Sequence, residues 1–409
     1  LKLDARKLKW WRMNIKNGLI CLLITAILTL CVLNVAVAST GNCPTAIYNN
    51  AVHTGDHIPM TRGSTSNGIL NWKYATEGIV ASSSIPNGVV YVGGWDHNVY
   101  ALNATTGALT WNYTTRDIVH SSPTVANGIV YVGSGDHNVY ALNATTGALA
   151  WNYTTRDAVW SSPAVANGFV YVGSNDKNVY ALDANTGTNM WSYATGDAVQ
   201  SSPTVANGFV YVGSKDHNVY ALNAIGTKVW NYKTRFWVIS SPAVANGFVY
   251  VGSNDKNVYA LDVDTGKLVW SYTTGNVVVS SPTVANGIAY VGSSDHNVYA
   301  LNATTGALTW NCTTGDWVYS SPTVANGIVY VGGYDHNVYA LDAATGTKIW
   351  SFTTGDSVSS SPIVANGIVY VGSFDHNVYA LDAATGTKIW SFTTGDSVSS
   401  SPTVFNGIG

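Results

Sequence analysis

Glutamate is almost missing from this chain: Glu77 is the one example among 409 residues. Charged residues of all kinds make up only 10% of the sequence, and there are four cysteines. Each scarcity excludes something. Calcium loops that close on a distal glutamate cannot be built downstream of Glu77. Four cysteines do not make a disulfide framework, because Cys21 and Cys31 fall in an apolar N-terminal run and only Cys43 and Cys312 remain. Cys312 stands where other units have the tyrosine of "WNYTT", so it reads as a packed core side chain. Basic charge is short as well. Setting aside the six basic residues and Asp4 of the first 38 positions leaves 13 Lys plus Arg against 21 Asp plus Glu, a net charge of −8. That balance argues against nucleic acid as a partner.

What the sequence has in abundance is repetition. Trp72, Trp111, Trp151, Trp191, Trp230, Trp270, Trp310, Trp350 and Trp390 are separated by eight intervals of 39 or 40 residues. Fixed periods of this length signal a repeat architecture. The last two units are identical from Asp335 to Pro362 and from Asp375 to Pro402, which suggests recent duplication.

Residues 1–38 differ in kind. A basic flank precedes an uncharged run from Gly18 to Ala38, long enough as one helix to span roughly 30 Å of hydrocarbon. Two readings stand: a signal peptide beginning at Met13 and cut after "AVA" (Ala36 to Ala38), or an uncleaved transmembrane anchor. Under both, the flank stays in the cytoplasm and the chain after Ser39 lies outside, secreted or at the cell surface. A lipoprotein cysteine fits poorly, because Leu30 precedes Cys31. Residues 39–68 read as a linker. Six Asn-x-Thr triplets, at Asn103, Asn112, Asn143, Asn152, Asn302 and Asn311, are either glycosylation sites or by-products of copying a threonine-rich repeat.

Each unit divides into four short strands: "SSPTV" to the "ANG" turn, "IVYVGS" to "DHN", "NVYALN" to "ATTG", and "ALTWNYTT" to "GD" or "RD". The second and third are apolar on both faces and require cover on both. The fourth alternates, with Leu109, Trp111 and Tyr113 expected on one side, as suits an outer strand half in water. No unit has the periodicity of a helix. Four-stranded antiparallel sheets with buried faces, repeated about eight times, stack radially into an all-β propeller over residues 69–409, preceded by the one N-terminal hydrophobic helix. The strand count leaves one too many at each end: outer-strand residues Ile69 to Thr76 before the first full blade, and an innermost strand from Ser399 to Gly407 after the eighth. Either both are spare, or the sequence is a fragment of a longer protein.

"YALDAATGTKIW" (Tyr339 to Trp350) and its counterparts resemble the Ala-x-Asp-x-x-Thr-Gly-x-x-x-Trp docking motif of the PQQ-like (pyrroloquinoline-quinone-type) β-propeller repeat family, over roughly residues 69 to 408. The resemblance implies an eight-bladed propeller in which Trp111, Trp151, Trp191, Trp230, Trp270, Trp310, Trp350 and Trp390 each pack on the Gly turn of a neighbouring blade. Asn103, Asn143, Asn223 and Asn302 replace the family's aspartate, and "NAIGTKVW" is one residue short, so looser docking is expected there. Some relatives are quinone-dependent dehydrogenases, which need a catalytic carboxylate, a calcium site and often an adjacent-cysteine disulfide. This chain has no Cys-Cys pair, and nearly all its aspartates occupy copied turns. We therefore expect no enzyme activity and neither PQQ nor calcium.

"DHN" recurs six times, with Lys177 and Lys256 in the histidine position elsewhere. Stacked sheets lie about 10 Å apart, so copies of one turn cannot share a zinc ion. The turn needs an Asp that bonds its own backbone and an Asn that tolerates left-handed geometry, with the middle residue free. "DVDTG" (Asp262 to Gly266) and "DANTG" (Asp183 to Gly187) read as capped turns.

Near-identical blades make exceptions informative. They concentrate on the face shared by the second-to-third-strand turn and the interblade link. In the link stand Ile118, His120, Ala158, Trp160, Ala198, Gln200, Phe236, Trp237, Ile239, Trp317 and Tyr319, and in the turn Trp95, Lys215, Tyr334 and Phe374. Large aromatics on a rim are recognition anchors. Trp160, Trp237, Trp317 and Tyr319 are expected to ring the mouth of a central channel and to contact a partner, a protein or glycan at the cell surface, with the chain itself a monomer. Three functions remain: an exported binding scaffold, an envelope protein-assembly factor, and a PQQ-dependent oxidoreductase as the least favoured.

Overall fold

Two left-handed residues in succession, Asn127 at φ 50° and Gly128 at φ 73°, explain the first hairpin of the second unit and, with their counterparts, of each unit after it. That pair of conformations matches the twist of antiparallel strands in a two-residue loop, and it places Ala126 opposite Ile129. The computed structural model describes residues 88–405, and all of its regular structure is strand. The second unit runs Thr124–Ala126, Ile129–Gly133, Asn138–Asn143 and Leu149–Thr154, paired in that order. The same pattern recurs to give eight four-stranded antiparallel sheets, an eight-bladed β-propeller. The N-terminal apolar segment, the linker, the strand expected at Ile69 to Thr76 and Cys43 lie outside the described residues.

Blade one corrects the expectation of a spare strand at the end of the repeats. Its own sequence supplies Val89–Gly93, Asn98–Asn103 and Leu109–Thr114, and the innermost place is taken by Thr403–Phe405. Val404 pairs with Val90 and is buried. The last strand is the one that closes the ring, because an unpaired inner edge on Val89–Gly93 would leave its N–H and C=O groups without partners.

The core lies between blades. Ala285, Tyr290, Val298, Ala300 and Trp310 of blade six, for example, form one cluster with Val324, Val329, Val331, Tyr339 and Leu341 of blade seven. This arrangement buries both faces of the second and third strands. The outer strand departs from simple alternation: a bulge between Ala101 and Leu102 puts Trp111 opposite Ala101 but Leu109 opposite Leu102. The extra residue turns Leu109 away from the side of Trp111, and it is 46% exposed.

Hydrogen bonds run round the inside of the ring without a break. The Ser122 N–H donates to Ser162 Oγ, Ser162 to Ser202, Ser202 to Ser241, Ser241 to Ser281, Ser281 to Ser321, Ser321 to Ser361 and Ser361 to Ser401. Ser401 N–H returns to Ser122 Oγ at 2.8 Å. Closure is therefore made by the C-terminal strand in the sheet and in this serine circle together.

Outside, each tryptophan docks on the next blade. Trp111 Nε1 donates to Ala144 O at 3.0 Å, and its ring lies against Gly147, where a Cβ would come within 2.8 Å. Gly147 has φ 71°, a conformation glycine adopts without strain. Trp151, Trp191, Trp230, Trp270, Trp310 and Trp350 repeat the bond, and Trp390 donates to Ala104 O across the closure. Asn103 caps its turn as Asp342 does, each accepting two backbone N–H bonds. The replacement of Asp by Asn therefore leaves the dock unchanged there. The shortened turn still seats Trp191 against Gly226, although Trp151 and Trp191 are less deeply buried than the others.

Candidate functional site

The copied turns come first, because they are where a metal or catalytic ring would have to be. Asp136 Oδ1 accepts from its own Asn138 N–H, while Oδ2 accepts from Tyr140 Oη and from the backbone N–H of Arg116 in the preceding link. Burial alone would raise this carboxyl; the bonds from Tyr140, Arg116 and Asn138 outweigh it and hold the pKa below the usual carboxylate range. Asp176 and Asp216 behave alike. A depressed pKa means that the stabilisation is present above the ordinary carboxylate pKa and is lost as pH falls through the lowered value. Every such aspartate, up to Asp96 with Gly395 N–H, is an interblade clip.

The middle residue is not free, and the expected division of labour is reversed. His97, His137, His217, His296, His336 and His376, with Lys177 and Lys256, carry the left-handed φ of 67° to 75°. The following Asn instead opens the third strand and bonds the Asp carbonyl, as Asn98 Nδ2 does to Asp96 O. His296, His336 and His376 Nε2 stand 3.7–3.8 Å from Asp316, Asp356 and Asp396 in the link that leaves the same blade. Lys177 similarly faces Asp197. Where the link has Phe236 instead of Asp, His217 stacks on it at 5.5 Å. This matching of positions about twenty residues apart was present in the sequence and was the signal that could have found the clasp. Both partners are half-exposed, so His336→Ala should shift a denaturant midpoint by less than about 1 kcal/mol of stability. A larger loss would mean that the clasp does more than pair surface charges.

The exceptional residues gather on the face that carries these turns and links. Backbone bonds zip the two together: Tyr334 N–H donates to Trp317 O, Phe374 to Ser357 O and Trp95 to Ser397 O. The link residues fall in two tiers. His120, Trp160, Gln200 and Tyr319 lie two residues before the ring serines, whereas Trp237 and Trp317 lie four before them and are held at the turns. The expected four-member ring of Trp160, Trp237, Trp317 and Tyr319 is thus split between the tiers.

Four groupings result. His120 stacks on Trp160 at 5.8 Å, and desolvation among the rings lowers its pKa although the residue is exposed. Gln200 Nε2 bonds Asn175 Oδ1 next along the circle. Lys215 Nζ sits 5.0 Å over the Trp237 ring, which also packs on Phe236. Trp317, Tyr319, Tyr334, Phe374 and Trp95 then make one chain of ring contacts at 4.8–6.0 Å from the sixth link to blade one. Phe236, Trp237 and Trp317 are 44%, 37% and 42% exposed. Trp160 Nε1, Asn254 Oδ1 and Ser294 Oγ, all on this face, are buried without a hydrogen-bond partner among the described residues. Unpaired buried polar atoms are rare enough to call for an explanation.

Of the six triplets, Asn112, Asn152 and Asn311 lie exposed on outer strands, while Asn103, Asn143 and Asn302 spend their side-chain oxygens on turn capping. The described cysteine, Cys312, is partly buried against the blade six core, and burial pushes its thiol pKa up.

A family model described as outer membrane protein assembly factor BamB matches residues 60–159, 156–236, 237–316 and 315–406. No curated protein matches the chain. Among solved structures, BamB from Moraxella catarrhalis is 20% identical with a TM-score of 0.61, covering 74% of this chain and 93% of that one. The computationally designed Ika8 protein is 18% identical with a TM-score of 0.63, covering 69% and 89%. The quinohemoprotein alcohol dehydrogenase from Comamonas testosteroni is 16% identical with a TM-score of 0.62, covering 79% and 74%. At these identities the likeness to the solved structures is one of fold.

Proposed function

The chain belongs to the family described as outer membrane protein assembly factor BamB, and from that membership we propose that it is an exported, non-enzymatic propeller that binds an envelope or cell-surface protein and serves assembly there. The observation that carries the reading is the confinement, among the described residues, of the exposed aromatic side chains Phe236, Trp237 and Trp317 to one face of eight otherwise near-identical blades. Interfaces draw most of their energy from a few aromatic and arginine anchors ringed by weaker contacts.

A quinone with calcium fits these residues poorly. The turn carboxylates already accept three or four hydrogen bonds each, and among the described residues no three His, Cys, Asp or Glu side chains converge as a metal site. The dehydrogenase reading therefore has fold likeness alone behind it.

Alanine at Trp160, Trp237, Trp317 and Tyr319 together, with folding verified, should abolish retention of the partner that a pull-down from the native envelope identifies. Undiminished retention would move the site off this face. The same preparation should show no saturable PQQ binding with calcium present; saturable binding accompanied by dye-linked turnover would restore the enzyme reading.

A further inference from the structure

Resting on the binding reading above, we propose that the arc Trp317–Tyr319–Tyr334–Phe374–Trp95 is the docking site for a basic protein segment, whose lysine or arginine side chains lie over the aromatic rings. The argument begins with charge. Between Gly275 and Ser400 the turn-and-link face carries Asp295, Asp316, Asp335, Asp356, Asp375 and Asp396 and not one lysine or arginine. Lys348 and Lys388 of this stretch begin outer strands, at the opposite end of the blades. The rest of the same face is different, with Arg116, Arg156, Lys177, Lys215, Arg235 and Lys256 interspersed among its aspartates.

The chain itself shows what the missing cations would do. On blade four Lys215 covers the Trp237 ring from 5.0 Å, the geometry of a cation–π contact. No cation of the described residues covers Trp317, Tyr319, Tyr334, Phe374 or Trp95, whose mutual contacts are tilted or edge-on except for the Trp317–Tyr319 stack. Asp316, Asp356 and Asp396 flank the arc with side chains about half exposed, each near an imidazole and no stronger cation. Aromatic faces and carboxylates alternating along one edge complement a segment in which basic side chains alternate with small ones. Charge complementarity of this kind sets which partner docks and how fast.

The test is an anisotropy titration of the full chain with a labelled peptide alternating arginine and serine, beside a peptide alternating glutamate and serine. Binding of the first and not the second is expected, weakening as salt is added. Trp317→Ala, Tyr334→Ala and Phe374→Ala together should weaken it roughly tenfold or more. Asp316→Asn, Asp356→Asn and Asp396→Asn together keep the link acceptors, so the fold is retained, and should weaken it and flatten its salt dependence. Lys348→Ala should change nothing. Failure of the arginine peptide to bind, equal binding of the glutamate peptide, or full affinity in either triple variant would overturn the proposal. If the arginine peptide fails while the envelope partner is still lost from the four-site alanine variant, the binding reading stands and the basic chemistry falls. Retention of the partner by that variant would sink the binding reading itself.

Discussion

Trp310→Ala should destabilise the propeller by about 3–5 kcal/mol, the usual cost of truncating a large buried aromatic, and lower its melting temperature by on the order of 5–10 °C. Trp310 is buried between blades six and seven, donates from Nε1 to Ala343 O at 3.0 Å and packs on Gly346. Gly346 offers a check from the opposite side of the same contact. It has φ 72°, and a Cβ there would lie 2.6 Å from Trp310 Cε3, so Gly346→Ala is strained by its backbone and by the ring. The ring clash vanishes once Trp310 is alanine. The double variant should therefore lose clearly less than the sum of the two single losses. Strict additivity would show that ring and glycine do not act on each other. His336→Ala, with the small effect expected above, is the matching control on the same protein.

Ending the chain at Gly395 should have the larger effect. That truncation removes buried Val398, the Ser400 Oγ that accepts from Gly93 N–H, the Ser401 link in the serine circle and the strand that pairs with Val89–Gly93. It bares the inner edge of blade one and one face of the cluster holding Val90, Val92 and Trp390. Exposed strand edges pair with other chains. Loss of the cooperative melting transition and concentration-dependent association by light scattering are the expected results. A monomer with unchanged melting would mean that another segment can fill the place. The sequence "SSSIPN" from Ser82 to Asn87 would then be the copy to examine.

Some of this was legible without coordinates because repetition amplifies weak signals. One Asn-Gly pair suggests a hairpin; seven, from Asn127 to Asn366 at a constant period, require one in each of those units. The tryptophan dock was legible for the same reason, through the resemblance of "YALDAATGTKIW" to a known repeat. The turn histidines were misjudged because Asn is the usual left-handed residue, and local propensity could not show that Asn98 would be engaged by Asp96 and by Thr114 of the outer strand. With that asparagine committed to the strand, the left-handed step falls on the residue before it. Leu109 was misplaced because a bulge is invisible to a count of alternating residues.

The proposed binding face divides in the same way. Its members, from His120 to Phe374, could be read as departures from a copied pattern, since exposed turn and link residues are not fixed by strand pairing. Their grouping could not. Only the circular arrangement brings Trp95 of the first blade against Phe374 of the eighth, 279 positions along the chain, at 5.5 Å. The sequence by itself determined the blades, because strand, turn and docking signals are local and repeated. The closed ring, the continuous aromatic arc and its unrelieved negative sector were decided by the tertiary structure, because each depends on which blade becomes the neighbour of which.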